Sequence, residues 1–303
     1  MDIAAASSTC AHILAENVAL LLSIFAALGG LAFGSFLNVC VSRLPRHDSI
    51  VAPRSRCPRC LAPIRNADNI PVLSFLLLRG RCRDCGMPIS PRYPLIEAAT
   101  AALFLLCFLQ LGLSLSGIAA AVLCWLLLGL AATDAETLLL PDALTLPGLA
   151  LGVVYSGFRS ADGDQSAFAA SNHATSFVLL PGFHWRVSAE SLLLAACAAA
   201  LILLIRGIYW LARRREGMGL GDAKLLAMIA AWLGLWPTLL TLFLGVLSAA
   251  IYGLAVTSLP RKQTPPGDTP AVRLPLGAFL CAAALFVLFH GERIVHWYLS
   301  FWP

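Results

Sequence analysis

Gly217-Met218-Gly219-Leu220-Gly221-Asp222-Ala223-Lys224 lies between two apolar runs, just after the basic cluster Arg213-Arg214-Arg215. An aspartate at the mouth of a membrane helix costs free energy and calls for a reason. Glycines at alternate positions clear the side chains from one edge of an extended segment, which lets another backbone approach. Two readings fit these residues. In one, the stretch is a flexible loop whose Asp222 caps the next helix, satisfying free N–H groups and favouring the helix dipole. In the other, Asp222 is a reactive carboxylate. A second acidic junction, Thr133-Asp134-Ala135-Glu136-Thr137-Leu138-Leu139-Leu140-Pro141-Asp142, tips the balance to the second reading. Two carboxylates brought together beside a membrane are the parts of an aspartyl protease.

Composition sets the surroundings of these residues. The chain has 303 residues, of which 59% are hydrophobic and 12% charged, and a mean hydropathy of +0.82. Soluble domains carry about twice that charge, so the expected fold is an all-α polytopic membrane protein. Apolar runs predict about eight transmembrane helices, near 17–40, 95–112, 116–133, 142–158, 188–210, 222–236, 238–258 and 275–290, several of them near the ~17-residue lower limit for a span. The sixth and seventh meet at Trp236-Pro237, where proline can start a new helix. Residues 1–10 carry no basic n-region, so the first run is expected to be retained rather than cleaved.

Lysine and arginine set the orientation. With the N-terminus outside, all but three of the 21 (Arg159, Arg186 and Arg293) fall on the inner side, as the positive-inside rule requires. Both acidic junctions then face the cytoplasm, Asp134 after the third helix and Asp222 opening the sixth. Residues 41–94 form a polar cytoplasmic segment, 159–187 an outside loop, and 260–274 an inside linker. The loop's His173 and His184 read as solvated side chains. No internal repeat is apparent.

Within 41–94, Cys57-Pro58-Arg59-Cys60 and Cys82-Arg83-Asp84-Cys85 are two C-x-x-C pairs. Four thiolates at this spacing suit a structural tetrahedral zinc, which leaves no open position for catalysis. Redox pairs are the alternative, disfavoured in a reducing cytoplasm. Neighbouring arginines are expected to favour thiolate ionisation and to hold the segment against anionic headgroups. The other six cysteines, Cys10, Cys40, Cys107, Cys124, Cys197 and Cys281, read as small packing residues. Gly34-Ser35-Phe36-Leu37-Asn38-Val39 closes the first helix, and its small residues imply close helix packing. Asn38 there needs a hydrogen-bonding partner. Arg92-Tyr93-Pro94-Leu95-Ile96-Glu97 opens the second helix, where Glu97 either caps the first turn or meets a cationic ligand.

Taken together and in this order, these stretches resemble the type IV prepilin peptidases, or leader peptidase/N-methyltransferases, over almost the whole chain. The long 159–187 loop departs from that pattern as an insertion. The resemblance implies a GxGD-type membrane aspartyl endopeptidase that removes the basic leader of type IV prepilins or type II secretion pseudopilins. It implies N-methylation of the new N-terminus with S-adenosylmethionine as the second activity. By the same resemblance Asp134 and Asp222 match the catalytic pair, and Cys57, Cys60, Cys82 and Cys85 match the family's zinc-binding loop. The methyl donor is expected near the Gly34–Glu97 region. It further implies a methyl-transfer-associated segment at 41–94 after a first helix at 1–40, and a seven-helix peptidase region at 95–303. The expected setting is the bacterial inner membrane with the site facing the cytoplasm. Pilins and lipids are the expected partners, and nucleic acid is not.

The residues support this chemistry directly. Two carboxylates about 3 Å apart share a proton and titrate as a unit. The ionised one activates water while the protonated one polarises the scissile carbonyl. Asp142, in the first turn of its helix, reads as structural, and Glu136 as solvated. Lys224 either lowers a carboxylate pKa or binds headgroups. Three alternatives remain at this point: a peptidase without methylation, a transporter, or a zinc-stabilised scaffold. A transporter should carry its acids at mid-bilayer on broken helices rather than at helix ends on one face.

Overall fold

The computed structural model describes residues 3–158, 183–214, 219–258 and 274–301. Gly217, most of the 159–187 loop and most of the 260–274 linker lie outside them. The described residues are helical without strands. In order they form α1 (Ile3–Arg43), the short α2 (Leu73–Leu77), α3 (Arg92–Leu111), α4 (Leu115–Thr137), α5 (Asp142–Phe158), α6 (Trp185–Arg213), α7 (Leu220–Leu233), α8 (Leu235–Ser258) and α9 (Leu276–Leu299). The eight long helices coincide with the eight predicted apolar runs. Five stretches (Glu16–Arg46, α3, α4, α6 and α8) are long and apolar enough to cross a membrane, and α5 and Leu276–Gly291 are shorter apolar helices. The chain is therefore a multi-pass membrane protein.

The break between the sixth and seventh helices falls at Gly234 rather than at Pro237. Gly234 has φ of 80°, and its N–H closes back onto the Ala230 carbonyl. A glycine in this backbone region ends a helix without a Cβ penalty. Pro237 follows in the first turn of α8, where its missing N–H is harmless.

The chain divides into two compact units, the first comprising residues 3–40 and 49–125 among those described. There α1 and α3 cross at small residues. A Cβ on Gly30 would lie 2.6 Å from the Ala101 Cα, and one on Gly34 would lie 2.7 Å from the Glu97 Cα. Any side chain at either glycine would push the helices apart, which is the close approach expected of small residues in a membrane helix. Asn38 Nδ2 donates to the Tyr93 carbonyl at 3.0 Å, the interhelical bond that the sequence required. The Trp125 indole N–H donates to the Phe33 carbonyl at 3.0 Å and its ring stacks on Phe36, joining α4 to α1. The buried thiols of Cys107 and Cys124 meet at 3.8 Å between α3 and α4.

In the second unit α7 is the central element. Every residue from Ala223 to Leu233 except Lys224 is buried, and α5, α6, α8 and α9 pack around it. A helix that is apolar on all sides is stable only when surrounded in this way. α5 approaches along Gly148 and Gly152, one turn apart, where an added Cβ would lie 2.5 Å from Met228 Sδ and 2.6 Å from the Trp232 ring. The Trp232 indole N–H donates to the Gly148 carbonyl at 2.8 Å, and Tyr155 stacks on the same ring. Ser191 on α6 donates to the Ala231 carbonyl at 3.0 Å. These bonds fix α7, and with it the register of Asp222.

Candidate active site and metal centre

Asp134 is in the last turn of α4 and is 5% exposed. Its Oδ2 accepts the backbone N–H of Ala278 at 2.8 Å, in the first turn of α9. The free N–H groups of a helix N-terminus make a natural seat for a carboxylate. Asp222 stands third in α7, and its Oδ2 accepts the N–H of Gly219 at 3.2 Å. It therefore does cap its own helix, as the plainer sequence reading held. That role leaves it close enough to Asp134 for the two negative charges to act on each other. The structure thus brings together two residues 88 positions apart in the sequence (222 against 134).

The other acids of these junctions separate from the pair. Asp142 accepts both of its short bonds from Lys224 Nζ, at 2.7 and 2.8 Å. Lys224 thereby ties the start of α5 to the start of α7. Glu136 is exposed.

Two of the three glycines in 217–221 can be placed against the rest of the chain. Gly219 has φ of −75°, and a Cβ there would meet nothing of this chain nearer than 3.5 Å. Gly221 does face a neighbour, but it is the Leu140 side chain, 3.1 Å from an added Cβ. A third glycine went unnoticed in the sequence. At Gly277, in the first turn of α9, a Cβ would lie 3.0 Å from Asp134 Oδ2 and 3.0 Å from Leu140 Cδ1. The signal was Pro275-Leu276-Gly277, a glycine with no local turn to explain it at the start of an apolar helix. Leu140, between Gly221 and Gly277, links the two acidic junctions by packing.

The four cysteines form a separate cluster. Their Sγ atoms all lie within 4.8 Å of one another, with Cys57 and Cys85 at 3.8 Å. Thiolates ~2.3 Å from a tetrahedral zinc are spaced about 3.8 Å apart, so these residues fit such an ion. The two pairs are also built alike. Cys57 N–H bonds the Ala62 carbonyl and Leu61 N–H returns to Cys57; likewise Cys82 N–H bonds Met87 and Gly86 N–H returns to Cys82. Antiparallel bridges join Arg56 to Pro63 and Arg81 to Pro88, and Leu61 and Gly86 share a φ near 60–70°, at 59° and 68°. Each pair follows Arg-Cys-x-x-Cys-x-x-Pro-Ile, so a short internal repeat is present that the sequence reading overlooked.

The backbone N–H groups of Cys60 and Arg59 hold the Cys57 thiol down at about 6, well below its ordinary value. Two neighbouring arginines are themselves engaged by acids. Arg83 holds Asp68 through short bonds from Nε and Nη2, at 2.9 and 2.6 Å, and Arg65 pairs with Asp84 at 3.7 Å.

Glu97 does not cap the first turn. Helix α3 begins at Arg92, so Glu97 lies beyond the first turn. It is 8% exposed, and its Oε2 accepts the Val72 N–H at 2.7 Å. Val72 has φ of 59°, a region that β-branched residues rarely enter. Glu97 thus latches the cysteine segment to α3.

Comparison with known proteins follows this geometry. A profile described as the bacterial peptidase A24 N-terminal domain matches residues 28–111, and one described as the type IV leader peptidase family matches residues 121–254. The chain belongs to the type IV leader peptidase family. This is a family of aspartic peptidases. The chain is 36% identical to a prepilin leader peptidase/N-methyltransferase of Aeromonas hydrophila, over 90% of this chain and 92% of that protein. It is 42% identical to one of Klebsiella pneumoniae over 71% of this chain and 86% of that protein. A third, from Legionella pneumophila, is 32% identical over 91% and 93%. No solved structure was found to match.

Proposed function

We propose that this type IV leader peptidase family member removes the basic leader of type IV prepilins or type II secretion pseudopilins and then N-methylates the new N-terminus. Asp134 and Asp222 are its catalytic pair. The observation that carries this reading is the placing of the two carboxylates, each held through Oδ2 by a backbone N–H at a helix start, in junctions that Leu140 joins by packing near both Gly221 and Gly277. One carboxylate, ionised, takes a proton from water, whose oxygen attacks the scissile carbonyl. The other, protonated, donates to the carbonyl oxygen and then helps to protonate the leaving amine. Fixing both through Oδ2 keeps them oriented while the proton moves between them.

The substrate's topology agrees with this arrangement. A basic leader stays in the cytoplasm and an apolar helix enters the bilayer, so the scissile bond falls at the inner interface. The family resemblance and the one-sided placement of arginines support a site facing the cytoplasm of a bacterial inner membrane. Lipids are then the remaining partners.

Cys57, Cys60, Cys82 and Cys85 hold a structural zinc that orders residues 41–94. This segment and its flanks, the Gly34–Glu97 region, serve methyl transfer, while cleavage belongs to 95–303. S-adenosylmethionine supplies an electrophilic methyl group for the new terminal amine. The relatives' shared name supports the second activity. Co-expression with a tagged prepilin tests both. The pilin's mass should fall by the leader and rise by one methyl group, and neither change should occur with Asp222→Ala. Leader loss with that variant would overturn the assignment of Asp222.

A further inference from the structure

Helix α2 presents its apolar face outward. Leu73, Leu76 and Leu77 recur at helical spacing on one face, and Leu76 and Leu77 are 64% and 71% exposed. The one buried residue of the helix is Ser74, whose hydroxyl donates to the Ile70 carbonyl at 2.7 Å. A short helix in water places its residues the other way round. The depth of α2 is fixed by the Glu97 latch. Val72, the residue before α2, bonds a carboxylate that lies five residues into a membrane-spanning helix, about 7.5 Å along its axis at 1.5 Å per residue. Leu73–Leu77 therefore begin beside the first third of a helix long and apolar enough to cross a membrane. Directly after the helix come Arg79 and Arg81, both exposed. Apolar residues at the boundary with arginines beside them form the pattern of an interfacial anchor.

We infer that Leu73, Leu76 and Leu77 insert into the bilayer that the chain's own helices span, with Arg79 and Arg81 against anionic headgroups. The segment carrying the cysteines is thereby held to the membrane at a second point besides Glu97. This occupant follows from the latch depth and the charge. A soluble protein partner would have to reach a face held at the bilayer boundary.

The test uses the full chain in nanodiscs of phosphatidylethanolamine, with or without phosphatidylglycerol. A benzophenone amino acid is placed at Leu76, Leu77 or, as control, Arg59 on the first cysteine turn. After irradiation, intact mass should show lipid adducts at Leu76 and Leu77 several-fold above Arg59. Phosphatidylglycerol should raise that yield, and Arg79→Gln with Arg81→Gln should cancel the increase. Adducts to this chain or to a co-reconstituted prepilin, or lipid adducts no higher than at Arg59, would overturn the inference. A second readout avoids the label. In inverted membrane vesicles, Leu76→Asp with Leu77→Asp should speed tryptic cleavage after Arg79 and Arg81 several-fold while bound zinc is retained. An unchanged cleavage rate would equally overturn it.

Discussion

The cysteine cluster and the aspartate pair are two ways of building a site. The four thiols come from two nine-residue stretches with one shared pattern, and each half shapes itself by its own backbone bonds. Their chemistry is local, and an ion can complete it. The two carboxylates come from two helices of one packed unit, the end of α4 and the start of α7. Asp134 depends on α9 for its hydrogen bond and Asp222 on the placing of α7 among its neighbours. The lesson is that a metal site tolerates changes far from it, while a carboxylate pair depends on distant packing.

The largest test of that contrast removes one member of each site. Asp134→Ala or Asp222→Ala should lower leader removal by at least ~10²–10⁴-fold, the usual weight of a positioned acid or base. Cys57→Ser with Cys82→Ser should leave cleavage of a tagged prepilin within a few-fold of the parent. Equal loss in both would mean that the two sites do not work separately.

Metal removal comes next. Chelation, or the same double cysteine variant, should abolish bound zinc by elemental analysis and speed proteolysis of residues 49–90. Structural zinc sites typically contribute ~10–16 kcal/mol of apparent binding free energy to local folding. Unchanged proteolysis without zinc would show that the repeat's backbone bonds suffice.

A distant packing change is the sharper probe of the aspartates. Gly277→Ala adds a methyl 3.0 Å from Asp134 Oδ2. Overpacking of this kind costs about 1–3 kcal/mol, so leader cleavage should fall roughly 5- to 100-fold, mainly in kcat. Gly219→Ala, with nothing nearer than 3.5 Å, should be nearly silent. Equal effects would break the link between α9 and Asp134.

The smallest expected effect is at Lys224→Met. The Lys224–Asp142 pair is well exposed on both sides, and such pairs contribute ~0–1 kcal/mol. Cleavage should change no more than a few-fold, as measured by the same mass assay. A loss as deep as that of Asp222→Ala would give Lys224 a part in the chemistry.

Much of this was legible in the chain. Apolar runs gave the helices because a span needs a minimum length of apolar residues. The C-x-x-C spacing gave the ligand set because each pair fits a single turn. Asp134 and Asp222 were found as acids at helix ends. The residues that were misread are those whose partners lie far away in sequence. Glu97 looks like a helix cap until Val72 is seen above it, and Lys224 is ambiguous until Asp142 meets it.

The sequence by itself therefore determined the apolar helices and singled out the two acids and the four clustered cysteines, since hydropathy and local spacing are properties of neighbours along the chain. Only the tertiary structure decided which acids pair, why Gly277 carries no side chain, and that α2 turns its leucines outward. Those outcomes rest on close packing and on where free N–H groups end up, and both depend on helices distant in the chain coming into contact.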